Sequence, residues 1–145
     1  MTSVQIALLG CGLFFITGML TGLWKYRCIM NSPQAQAPVY VDICHRTALM
    51  YAFACLILVE FAQRSTWPEL VNQFAVAIPI VFFASAVATY AVHGLLRDTD
   101  NQLRRPHVLG TQQVHGGVIS VYMTLLAVGE IGGFLVLFTG WLRSL

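Results

Sequence analysis

The chain has 145 residues and a formal net charge of +2; 57% of its residues are apolar and 10% charged, against about 25% charged in an ordinary soluble domain. That length gives one domain, residues 1–145. The charge forms no basic stripe interleaved with aromatics, which speaks against a nucleic-acid partner.

The first apolar run, Val4 to Trp24, has the roughly 20 residues that a helix needs to span a bilayer. Met1–Gln5 carry no Lys or Arg, and the run exceeds a signal peptide's h-region of roughly 7–15 residues. It is therefore read as helix one. Pro33 and Pro38 in the loop "KYRCIMNSPQAQAP" require that helix to stop before them. The second run, Thr47 to Gln63, reaches spanning length only if it begins near Ile43, which puts His45 and Arg46 in its first turn. The short loop "RSTWPEL" makes helices two and three antiparallel neighbours, with Ser65 and Thr66 as candidate caps and Trp67 as an interfacial anchor.

The third run, Phe74 to Leu96, contains Pro79 and should kink there. "RDTDNQLRRPHVLGTQQ" is the longest polar stretch, and Val114 to Leu142 is the fourth run. Alternating segments of about 10 residues, the mark of a membrane barrel, are absent. The expectation is an all-α, integral membrane bundle of four transmembrane helices, at about 4–24, 43–63, 73–96 and 113–142. Small-residue pairs such as Ala84 with Ala88 and Gly129 with Gly133 would let helices approach closely in lipid, and further association into a homo-oligomer is expected.

Lys25, Arg27, Arg46, Arg97, Arg104 and Arg105 lie around loops one and three, while Arg64 and Arg143 lie on the other side. The positive-inside rule then puts loops one and three in the cytoplasm and both termini outside, in a bacterial inner membrane. The cysteines Cys11, Cys28, Cys44 and Cys55 form no CxxC pair and read as small apolar packers.

Loop parity brings the polar residues together. Asp42 and His45 open helix two, Tyr90 and His93 close helix three, His107 is in loop three, and Gln112, Gln113 and His115 open helix four. All four histidines fall at one end of the bundle. Each alone is commonly an interfacial side chain, but ionisable groups at membrane depth are functional-site candidates as a set. There is no HExxH and no Cys-x-x-Cys-His, and di-iron membrane hydroxylases use many more histidines. A single imidazole suffices to hold a haem. His45, set deepest, is the best ligand, and Asp42, one turn earlier, could orient its other ring nitrogen. Glu130, near the middle of helix four, reads as a buried hydrogen-bonding group or a proton relay.

Three features carry a resemblance to a known family: "GLW" at Gly22–Trp24, "SP" at Ser32–Pro33, and the run "SPQAQAPVYVDICHRTALMY" into His45. The chain resembles the small four-helix membrane epoxide isomerases of the styrene oxide isomerase type, over about residues 10–93. The resemblance implies haem b ligated by His45, between the subunits of a trimer. It also implies a helix-three tyrosine, Tyr90, assisting catalysis, and a small apolar epoxide as substrate in the bilayer. Tyr51 stands where the family has Asn, and is the second catalytic candidate. The residues leave two other readings open. One is a small b-type cytochrome with His45 and either His93 or His115 as axial ligands; the other is a cofactor-free membrane subunit.

Overall fold

The computed structural model describes all 145 residues. The chain forms four long helices, α1 (Ser3–Met30), α2 (Val39–Arg64), α3 (Glu69–Leu96) and α4 (Gly116–Leu142), and two short strands, β1 (His107–Leu109) and β2 (Gln112–Val114). All four helices are long and apolar enough to cross a membrane.

Helix ends follow local chemistry more than apolar run length. α1 opens on a capping box, Thr2 accepting from the Gln5 amide while Gln5 accepts from the Thr2 amide. It runs past the expected end at Trp24 because nothing in Lys25–Met30 breaks a helix. α2 and α3 start directly after Pro38 and Pro68, ahead of the expected 43 and 73. Proline suits a helix entry, since its missing N–H has no partner to lose there. Ser65 and Thr66 therefore do not cap α3: Ser65 ends α2, and the Thr66 hydroxyl donates to the Gly140 carbonyl at 3.0 Å.

Loop three departs most from expectation. Residues 107–114 form an antiparallel hairpin pairing His107 with Val114 and Leu109 with Gln112. Gly110 turns it at φ 62°, a left-handed conformation that costs glycine little. Gln112 and Gln113 thus lie in β2 instead of opening α4.

The core joins all four helices through Phe14, Cys44, Ala48, Cys55, Val76, Phe83 and Leu137 among others. The four cysteines are free, with Cys44 and Cys55 buried. α4 meets α3 around Pro79, which stands inside a continuous α3: a Cβ on Gly133 would lie 2.7 Å from the Ala75 carbonyl, and one on Gly129 would collide with Phe82. Of the small-residue pairs, Gly129 with Gly133 makes this seam, while Ala84 and Ala88 face outward. Trp67 is more than an interfacial anchor, since its indole donates to the Val136 carbonyl at 3.0 Å and Arg143 lies 4.3 Å above its ring.

The two ends of the bundle differ in chemistry. At one end Ser3 bonds Glu69 and Thr66 bonds Gly140. At the other, Gly94 packs on Trp24 and Val41, and Tyr40 stacks on Tyr90 and His93. The starts of α2 and α4, the ends of α1 and α3, and the hairpin share that second end.

Candidate functional site

His45 sits on α2 against α1. Its Nδ1 lies 2.8 Å from the Gly18 carbonyl. A carbonyl only accepts, so Nδ1 carries the proton and donates, and the neutral ring keeps its lone pair on Nε2. The approach depends on glycine: a Cβ at Gly22 would lie 2.9 Å from His45 Cε1. The first residue of "GLW" is therefore what lets the imidazole reach the α1 backbone. No protein group bonds Nε2, and it is not a sealed, unpartnered atom.

Asp42 does not orient His45, contrary to expectation. Its carboxylate bridges Lys25 at 2.6 Å and Arg46 at 2.8 Å. The cause is the extension of α1, which brings the Lys25 ammonium across to α2, together with Arg46 one turn along the same helix face. Two formal positive charges outcompete a neutral ring for the carboxylate. Asp42 thereby ties α1 to α2 next to His45.

The other histidines are separate from His45. His93, 5% exposed, donates from Nδ1 to Asp98 Oδ1 at 2.8 Å. The second Asp98 oxygen accepts from the Gly110 amide at 2.6 Å, so one carboxylate ties the end of α3 to the hairpin turn. Burial pushes the Asp98 carboxyl up, but the Gly110 amide and His93 outweigh it and hold it below its ordinary value. His107 donates from Nδ1 to the Gln102 carbonyl at 3.1 Å, and the Tyr40 hydroxyl accepts from the Gln102 amide at 2.5 Å. His115 is exposed and caps α4, its Nδ1 accepting from the Gly117 amide at 3.1 Å. A neutral His115 then has its proton on Nε2 and no free lone pair for a metal.

Tyr40, Tyr51, Tyr90 and Tyr122 are buried or partly buried, while Tyr26 is exposed. Tyr51 stacks on Phe83 with centroids 4.0 Å apart and also meets Phe14. Tyr90 stacks on Tyr40 at 5.9 Å. On α4 the Tyr122 hydroxyl bonds Ser85 at 2.8 Å, and Glu130 has one buried carboxyl oxygen without a partner.

The four histidines thus share one end of the bundle but form no common centre, and no three His, Cys, Asp or Glu side chains converge as a metal cluster. Sequence reading passed over Asp98, Gln102 and Tyr40. Asp98 could have been found as the acid just beyond a helix whose last turn carries His93. Comparisons with protein-family models, curated proteins and solved structures find no match.

One donor arrangement in this chain could serve a prosthetic group. Haem iron takes a single axial imidazole through one nitrogen while the other donates to a carbonyl or carboxylate. His45 has that arrangement, with Gly18 as the acceptor; His107 on the Gln102 carbonyl and His93 on Asp98 share it but are buried, 8% and 5% exposed. His115 has given its acceptor nitrogen to a helix cap, and His93 is held toward the hairpin.

Proposed function

We propose that the protein is a haem-dependent isomerase of the membrane that opens an apolar epoxide to a carbonyl compound. The observation that carries it is the orientation of His45, with Nδ1–H on the Gly18 carbonyl and Nε2 left for iron. His45 would hold haem b on the α1–α2 face, and the ferric haem would supply Lewis-acid chemistry for the epoxide oxygen.

The chain's own residues do the rest. Gly18 fixes the tautomer and angle of the His45 ring, and Gly22 leaves room for it. Asp42, clamped to Lys25 and Arg46, holds α1 against α2 beside the ligand. The Tyr90 hydroxyl would donate to the epoxide oxygen as charge develops on it, and Tyr51 would shape the pocket next to α3. Outward-facing Met19, Leu23 and Met50 keep the surroundings apolar, which excludes water and gathers an apolar substrate from the bilayer. The surface that carries His45 is open in a single chain, in keeping with a haem shared between subunits of a homotrimer. The positive loops one and three would face the cytoplasm.

The test is purification after expression with ample haem supply. The ferric protein should show a Soret band and convert an aryl epoxide such as styrene oxide to an aldehyde. Folded His45→Ala should lose the haem, and Tyr90→Phe should keep it while turning over about 10²–10³ more slowly. A colourless wild type, or a His45→Ala protein with full haem content, refutes the proposal.

A further inference from the structure

Between the hairpin, α3 and α4 lies a cavity of about 170 Å³ that shares no residue with the His45 face. Six of its eleven lining residues carry no hydrogen-bonding side chain, so its few polar groups decide what it accepts. These are Thr89, His93, Gln102, His107 and Tyr122.

Each can be assigned as donor or acceptor from the bonds it already makes. His107 donates Nδ1–H to the Gln102 carbonyl, leaving a lone pair on Nε2. Asp98 is ionised at neutral pH and only accepts, so His93 also donates from Nδ1, and its neutral ring has the lone pair on Nε2. The Thr89 hydroxyl donates to the Ser85 carbonyl at 2.8 Å. Ser85 spends its one proton on the Phe82 carbonyl at 2.8 Å. The Tyr122 hydroxyl must therefore donate to Ser85 Oγ, and its own oxygen remains an acceptor. The Gln102 side-chain carbonyl oxygen is buried with no partner at all. The two imidazoles and two hydroxyls have thus used their donors on the protein itself, so the lining offers five acceptors against one free donor group, the Gln102 side-chain amide. The Gln102 oxygen is the one of these sealed without a partner, which is costly, and a ligand that brings a donor relieves that cost.

We propose that this cavity is a second binding site, for a small neutral single-ring alcohol or phenol whose hydroxyl donates to the acceptors of this lining. The size agrees, since an apolar cavity of roughly 150 Å³ takes benzene. An ammonium ligand fits poorly. No carboxylate lines the cavity, both Asp98 oxygens are engaged, and an uncompensated buried charge is expensive. An epoxide or the carbonyl compound made from it only accepts, so it could use the Gln102 amide but would leave the buried Gln102 oxygen unpartnered. The site is therefore distinct from the His45 face, and its assignment rests on the donor count and on no cofactor.

The experiment is methyl-¹³C-methionine NMR of the full chain in detergent micelles, with phenol, anisole and benzaldehyde as probes. Met123 lines the cavity, whereas Met19 and Met50 are on the outer apolar surface and report partition into the micelle. Phenol should shift the Met123 methyl saturably, with only a linear drift at Met19 and Met50. Anisole and benzaldehyde, which lack the donor, should bind about tenfold more weakly or less. Thr89→Val, nearly isosteric, should weaken phenol several-fold and leave anisole unchanged. His107→Leu should abolish the preference for phenol, and if that variant does not fold, Thr89→Val decides alone. Equal binding of phenol and anisole, an unsaturable Met123 shift, or phenol binding untouched by Thr89→Val would overturn the proposal.

Discussion

At the scale of single residues, the His45 arrangement is decided by what is missing beside it. Gly22 has no side chain where a Cβ would lie 2.9 Å from the imidazole. Gly22→Ala should push the ring off the Gly18 carbonyl while leaving α1 helical, since alanine is the better helix former. Loss of the group that orients a metal-bound histidine costs typically 10–100-fold in affinity. Under the proposed function, Gly22→Ala should retain folded protein by circular dichroism and bind haem about 10–100-fold more weakly by Soret titration. Unchanged haem affinity would mean that the Gly18 bond does not prepare His45 for iron. Gly22 was legible as part of a three-residue motif. Its physical role was not, because it depends on a side chain 23 positions away.

At the scale of elements, the hairpin is docked by one carboxylate. Asp98, its side chain 4% exposed, joins the end of α3 to the Gly110 turn. Its folded pKa is depressed, so its contribution is present in full above the ordinary carboxylate value of about 3.9. That contribution is lost as pH falls through the lower, folded value. The Gly110 amide resonance should therefore stay constant from neutral pH down to about 4 and move only below that. Asp98→Ala should displace it at every pH. A Gly110 shift titrating near pH 6, or one indifferent to Asp98→Ala, would break the assignment. The hairpin itself was obscured by the charge of Arg97–Arg105. The signal for it, a glycine between the short runs "HVL" and "QQV", is weak for strands of three residues.

At the scale of the whole molecule, the apolar surface is larger than one chain can bury. Within the best apolar window of α4 only 6% of residues are buried, against 22–33% in the other helices. Val121, Leu125, Val128 and Ile131 all point outward. Lipid can cover this face, and so can further copies of the chain. The proposed function calls for a homotrimer with haem between subunits. Native mass spectrometry from mild detergent should show three chains with bound haem, and dissociation to monomers should release it. A monomer that retains stoichiometric haem would place the cofactor entirely within one chain.

Four apolar runs were enough to determine four membrane-length helices in order, because backbone in hydrocarbon must satisfy its own hydrogen bonds and a helix does so within one segment. Loop parity likewise placed the polar residues at one end, which Tyr40 confirms by touching Tyr90, His93 and Gln102. What each polar group does there was decided by the tertiary structure alone. Asp42 could face His45 or Lys25, and the length of α1 settled it for Lys25. The four histidines were one set in the sequence, yet they became a ring on α2 oriented onto the α1 backbone, a buried hydrogen-bond partner of Asp98, a cavity wall and a helix cap. Local sequence specifies which residues carry hydrogen-bonding groups, but which partner each finds depends on residues distant in the chain and brought close by helix packing.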